Sequence, residues 1–214
     1  MKTSTLIFLL ITGLLTSCIL TYLLIYTGID WSLAVFYNQN EFFVWIAAPF
    51  VLGGMIVPII IIVYFFLFWK KTKTQSYYIQ FKRSIYSFIC TYVIMTILKV
   101  FTNRVDMEPF EPIGSLDTSN QFRFGFMNSN SWWESFSEGW PSGHTMIAVG
   151  MAIALHPLIR SKFWKIMNIA YPIIVAWSVS TAFHWLSDVL SGAILGIVIG
   201  YYFSMKQIRK PLNV

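Results

Sequence analysis

Residues 43–69 read FVWIAAPFVLGGMIVPIIIIVYFFLFW, and Lys70-Lys71-Thr72-Lys73 follow at once. The run carries no charged side chain, and about 20 apolar helical residues suffice to cross the hydrocarbon core of a bilayer. A membrane helix closed by a basic cluster is the direct reading. The pattern recurs along the chain. Apolar stretches extend over Leu6 to Tyr26, Phe43 to Trp69, Ser84 to Phe101, Thr145 to Ile159, Phe163 to Ala182 and Val189 to Met205. Only 11% of the 214 residues are charged and 57% are hydrophobic, against roughly 25% charged in a soluble domain. The expected fold is an all-α integral membrane protein, a single membrane domain over residues 1–214 with six transmembrane helices in one bundle.

Charge gives the orientation. Twelve of the 15 basic residues fall into four regions: Lys2; Lys70, Lys71, Lys73, Lys82 and Arg83; Arg160, Lys162 and Lys165; and Lys206, Arg209 and Lys210. Six crossings put all four on one side, which the positive-inside rule makes cytoplasmic, together with both termini. Lys99, Arg104 and Arg123 fall on the other side, with all nine acids: Asp30, Glu41, Asp106, Glu108, Glu111, Asp117, Glu134, Glu138 and Asp188. The net charge of +6 is therefore a topology signal; nothing resembles a nucleic-acid module, and no nucleic-acid partner is expected. Leu15-Thr16-Ser17-Cys18 resembles a lipoprotein cleavage box. The apolar run continues to Tyr26, too long for a signal-peptide core, so an uncleaved first helix is expected. Cys18 and Cys90 read as thiols packed inside spans.

Ionisable groups within or near a membrane core are functional candidates. Lys99 closes the run TILKVF at residues 96–101 and Arg104 follows five residues later. Two cations at one helix end suit an anion, and the planar fork of arginine suits phosphate. Trp140-Pro141-Ser142-Gly143-His144 opens the fourth apolar stretch. Proline favours the first helical position, glycine admits close approach of a ligand, and free amides at a helix start bind phosphate. In His184-Trp185-Leu186-Ser187-Asp188 a helical spacing of four brings imidazole and carboxylate to one face, so that Asp188 fixes the histidine tautomer. Gly192 and Gly196 read as close helix packing. His156, next to Pro157 at the inner end, reads as structural. The connection 102–140 is long and rich in aromatics. Most of its rings are expected in an interfacial belt, with a lid over the site as the functional reading.

Taken together, Pro141-Ser142-Gly143-His144, the later His184-x-x-x-Asp188 and Lys99 at an earlier helix end resemble the type-2 phosphatidic acid phosphatase superfamily, over roughly residues 85–200. The resemblance implies metal-independent phosphoryl transfer without a cofactor. His184 is the implied nucleophile, forming a phosphohistidine; Asp188 holds it, and His144 protonates the leaving oxygen. Lys99, Ser142 and Gly143 are the implied phosphate ligands. Two positions depart from the family pattern. Asp106, followed by Met107, stands where an arginine followed by proline is usual, and Ser178 stands where another arginine is usual. Arg104, or Arg123 from the loop, is expected to replace them.

The implied substrate is a membrane lipid bearing a phosphate: phosphatidate, a polyprenyl diphosphate or a lipid A type. A site with fewer cations also fits a phosphodiester, with headgroup transfer or lipase chemistry. Asp106, Glu108, Glu134 and Glu138 would then face a cationic headgroup, with Trp132, Trp133 and Trp140 for cation–π contact. A catalytically silent binding protein on the same scaffold is the third alternative. Brief tails and no organelle signal point to a bacterial inner membrane, with the site on the periplasmic or extracellular side.

Overall fold

The computed structural model describes residues 3–107, 116–124 and 139–206. Among these the chain is helical without a strand; Arg104 and Phe122 form an isolated bridge. The helices are α1 (Thr3–Tyr26), α2 (Ile29–Asn38), α3 (Glu41–Thr72), α4 (Gln75–Thr102), α5 (Gly143–Leu155, continued by a 3-10 turn His156–Leu158), α6 (Lys162–Ala182) and α7 (Leu186–Met205). By length and composition, α1, α3, α4 and α7 can each cross a membrane. With 13 residues, α5 is shorter than the span expected there.

The expected boundaries shift in three places for local reasons. The short α2 was not foreseen; it starts after Gly28, whose φ of 70° is in the left-handed region that glycine adopts freely. At the basic turn, only Lys73 and Thr74 separate α3 from α4, so Lys82 and Arg83 stand inside α4 rather than in a loop. Pro141 precedes the helix it was expected to begin, since Ser142 is the N-cap and Gly143 the first helical residue.

The bundle has the polarity of a membrane protein. Large apolar side chains such as Phe8, Ile60, Trp164 and Ile173 face outward. Cys18 faces outward too, rather than packing inside as expected. Small polar side chains, among them Ser17, Thr21, Ser87, Thr91 and Ser178, are buried. In lipid there is little hydrophobic drive between helices, so close backbone approach and hydrogen bonds hold them.

Helix α5 is the hub, packed on α3, α4, α6 and α7. Its contact with α7 is closest, as the glycine spacing suggested. A Cβ at Gly192 would lie 2.5 Å from the Ser142 carbonyl oxygen, at Gly196 2.7 Å from that of Met146, and at Gly200 2.4 Å from that of Gly150. On the other side of α7, Gly13, Ser17 and Thr21 are the buried face of α1, and Thr21 Oγ1 is 3.1 Å from Ser191 Oγ.

Candidate functional site

Helix ends converge at the pole of the bundle away from the Lys70–Lys73 turn. Helix α4 arrives with Lys99 in its last turn, 4% exposed. It stops at Asn103, whose φ of 40° is left-handed and whose amide donates to the Lys99 carbonyl at 2.7 Å. The chain then runs extended and pairs with the returning loop: Val105 N–H donates to Gln121 O, and Arg123 N–H to Asn103 O. Phe122 is thereby laid beside the Arg104 guanidinium, 5.2 Å from its ring centroid, with Trp185 on another side at 5.7 Å.

Arg104 is fully buried, and all five of its N–H donors are engaged. Nε donates to Ser119 O at 2.9 Å, and Nη2 to the same carbonyl at 2.6 Å and to Asp30 Oδ2 at 2.9 Å. Nη1 donates to Ser187 Oγ at 2.7 Å and to Asp188 Oδ1. Asp30 in turn accepts the Ser187 amide at 2.9 Å through Oδ1, and the Ser187 hydroxyl through Oδ2. A carboxylate supplied by α2 thus satisfies a first-turn amide of α7, where orphan donors and the helix dipole favour negative charge. The expected phosphate contact of Arg104 is not what this geometry offers: no donor remains, and two buried carboxylates claim its charge.

His184 lies in the link before α7, not on a helix as its spacing to Asp188 suggested, and is 3% exposed. Its Nδ1 is 2.9 Å from Asp106 Oδ1 and 3.7 Å from Asp188 Oδ2. The nearer carboxylate is the one at the position where the family pattern has arginine. Asp188 Oδ2 is buried without a hydrogen-bond partner. Burial works against charge on His184, but the adjacent Asp106 carboxylate outweighs it and holds the imidazole above its ordinary value. One potential ligand atom from each of Asp106, His184 and Asp188 lies within 4.8 Å of the others. The His184–Asp106 hydrogen bond and the Arg104 contact to Asp188 already engage all three residues.

The Pro-Ser-Gly-His segment docks directly on this group. Ser142 N–H donates to Asp188 O at 3.0 Å, joining the start of α5 to the first turn of α7. Gly139, at φ 103°, lets the chain pass against α4, and the Trp140–Pro141 peptide is cis. Trp140 is buried, its indole N–H shared by Thr21 Oγ1 and Ser191 Oγ at 2.9 Å each. It is a bundle anchor, not a belt or headgroup residue. Ser142 Oγ is 3.2 Å from Thr145 Oγ1. Gly143 answers to packing, since a Cβ there would meet Met95 Sδ at 2.1 Å. His144 is half-buried beside Gly54 of α3, and Lys99, His144 and His184 lie close enough to interact electrostatically.

The structure therefore brings Lys99, Ser142, Gly143, His144, His184 and Asp188 to one pole. It leaves Arg123 on the exposed side of the loop pairing. Ser178 is buried, with its hydroxyl donating to Val175 O at 2.9 Å. His156 is at the opposite pole, Nδ1 3.4 Å from Asn168 Nδ2. Glu108, Glu134, Glu138, Trp132 and Trp133 lie outside the described residues, and the lid and headgroup readings built on them lie there too. Asp30, central to the site, had no assigned part in the sequence reading; its one signal was an acid just past a span. Asp106 was expected only to face a cationic headgroup, and the structure instead sets it against His184.

Long apolar helices that face outward mark a membrane protein, and two imidazoles, a lysine and two carboxylates gather at one pole of it. Residues 81–210 match the family model of the PAP2 superfamily. The match covers more than half of the chain, which belongs to that superfamily. No curated protein and no solved structure matches it. Membership brings phosphatase or phosphotransferase activity on lipid-like phosphorylated substrates as the class of function.

Proposed function

We propose that the protein removes phosphate from a membrane lipid at the outer face of a bacterial inner membrane, through a phosphohistidine on His184. Six helices, α1 and α3 to α7, make the crossings, and the basic ends face the cytoplasm. The Nε2 lone pair of His184 attacks phosphorus as the bond to the lipid oxygen breaks, and His144 gives that oxygen its proton. Water then attacks phosphorus, the P–N bond breaks, and His144 takes the water proton. Lys99 neutralises the phosphoryl oxygens beside the first-turn amides of α5, with Ser142 and Gly143. Phosphoryl transfer depends chiefly on such positioning and charge neutralisation, and general acid work by histidine is typically worth about 10²–10⁴-fold.

The observation that carries the reading is the meeting of His144, His184 and Lys99 at one pole, where the two motif segments are tied by the Ser142 to Asp188 hydrogen bond. Two observations favour the second reading, transfer or hydrolysis at a phosphodiester. Arg104 is committed to Asp30 and Asp188, and a carboxylate stands against the nucleophile. Both lower the positive charge available to a dianionic monoester.

Purified protein given phosphatidic acid, a polyprenyl diphosphate and a labelled phosphodiester lipid, with and without a chelator, separates the readings. Release of free phosphate supports the first; headgroup transfer without free phosphate supports the second. An acid-labile phosphoprotein is expected in wild type and His156→Ala and lost in His184→Ala. Equal turnover in both histidine variants refutes the assignment.

A further inference from the structure

We propose that Asp106 is the positioning residue of the nucleophile: it, rather than Asp188, takes the Nδ1–H of His184 and so leaves Nε2 free to attack. This rests on the reading of His184 as nucleophile and deepens it.

Geometry separates the two carboxylates. Asp106 Oδ1 is at hydrogen-bond distance from Nδ1, 2.9 Å, whereas Asp188 Oδ2 is at 3.7 Å, beyond the range of a direct hydrogen bond. Asp188 is held elsewhere: its Oδ1 accepts from Arg104 and its backbone carbonyl from Ser142. Arg104 is fixed in turn by Ser119, Ser187 and Asp30. A carboxylate locked in that clamp is not free to close on the imidazole. Asp106 is the less constrained of the two, on the extended segment after α4 with its side chain 17% exposed, able to stay with the ring as the reaction proceeds.

A histidine phosphorylated on Nε2 while Nδ1 keeps its proton carries positive charge on the ring. A carboxylate hydrogen-bonded to that proton stabilises the developing cation and fixes the tautomer, the role such a group plays in catalytic triads. The charged and titratable groups facing His184 are Asp106 from the segment after α4, Lys99 from α4, His144 from α5 and Asp188 from α7. Of the two acids, Asp106 is the one at hydrogen-bond distance, while Asp188 stands at ion-pair distance.

The chain has three histidines, so imidazole signals in protein labelled with ¹⁵N-histidine can be assigned by single substitution. In wild type, His184 is expected as the Nδ1–H tautomer. In Asp106→Asn its titration midpoint should fall by about one pH unit or more, the usual effect of losing an adjacent opposite charge; Asp106→Glu should restore it. Asp188→Asn should move it less. Unchanged titration and tautomer in Asp106→Asn, or the larger change in Asp188→Asn, overturns the proposal. Should Asp188→Asn not fold, the Asn and Glu variants at 106 decide the matter alone. The titration uses no substrate, so absence of lipid turnover in wild type would defeat the functional reading and leave this result legible. Where turnover is present, kcat in Asp106→Asn should fall, by up to about 10⁴-fold, with KM little changed; loss through KM alone also overturns the proposal.

Discussion

Replacing Arg104 with alanine tests whether its guanidinium is a strut or a ligand. The side chains of Arg104, Asp30 and Asp188 are all 0% exposed. After truncation Asp30 keeps the amide and hydroxyl of Ser187. Asp188 is worse placed: Oδ1 loses Arg104, and Oδ2 has no hydrogen-bond partner to begin with. Removing one partner of a buried ion pair costs about 3–5 kcal/mol, because the other charge is left uncompensated. Folded proteins are stable by only about 5–15 kcal/mol, so the loss is a large share of the total. Unfolding free energies in mixed micelles titrated with a denaturing detergent read it directly. Adding Asp188→Asn to Arg104→Ala should recover part of the loss, since the amide carries no stranded charge, and the pair should be non-additive. Arg123→Ala, at an exposed position, should stay within about 0.5 kcal/mol of wild type. An Arg104→Ala protein of wild-type stability whose only defect is a raised KM would refute the reasoning and return the guanidinium to the phosphate.

The α5–α7 contact gives a second prediction. Gly200→Ala drives a methyl group to 2.4 Å from a backbone oxygen and should cost about 1–3 kcal/mol, while Gly53→Ala, with open space around its Cβ position, should be neutral or stabilising by up to about 1 kcal/mol; the same micelle assay compares them. For topology, single cysteines replacing Lys71 and Asp117 in a Cys18→Ser/Cys90→Ser background should react with an impermeant thiol reagent from opposite faces of sealed vesicles. Labelling of both from one face contradicts the six-crossing arrangement.

Hydropathy revealed the apolar segments, because helix-long runs such as residues 43–69 are a local signal. The spacing of motif residues pointed to the cluster, because the Pro-Ser-Gly-His and His-x-x-x-Asp elements carry their chemistry within a few residues. What stayed hidden was pairing at a distance. Asp30 meets Arg104 across 74 positions of sequence, and nothing around residue 30 marks it as a partner. Arg104 looked like a phosphate ligand because residue type alone cannot tell which anion has claimed a guanidinium. Asp106 was visible as a missing cation, but its contact with His184 depends on the backbone path after Asn103. Trp140 belonged by composition to an aromatic-rich loop; only the packing of α1 on α7 supplies the two hydroxyls that take its indole N–H. The helical start of α4 at Gln75 was obscured by polar side chains that end the apolar run without ending the helix.

The glycine seam between α5 and α7 has a bearing on how such a protein can change. Because backbone rests on backbone there, the spacing between the Pro-Ser-Gly-His segment and the first turn of α7 is gauged by the bundle itself. Sequence drift away from the seam can then proceed while His144 and Asp188 keep their registration. A single methyl added to the seam should do the reverse, shifting α5 against α7 without touching either ring.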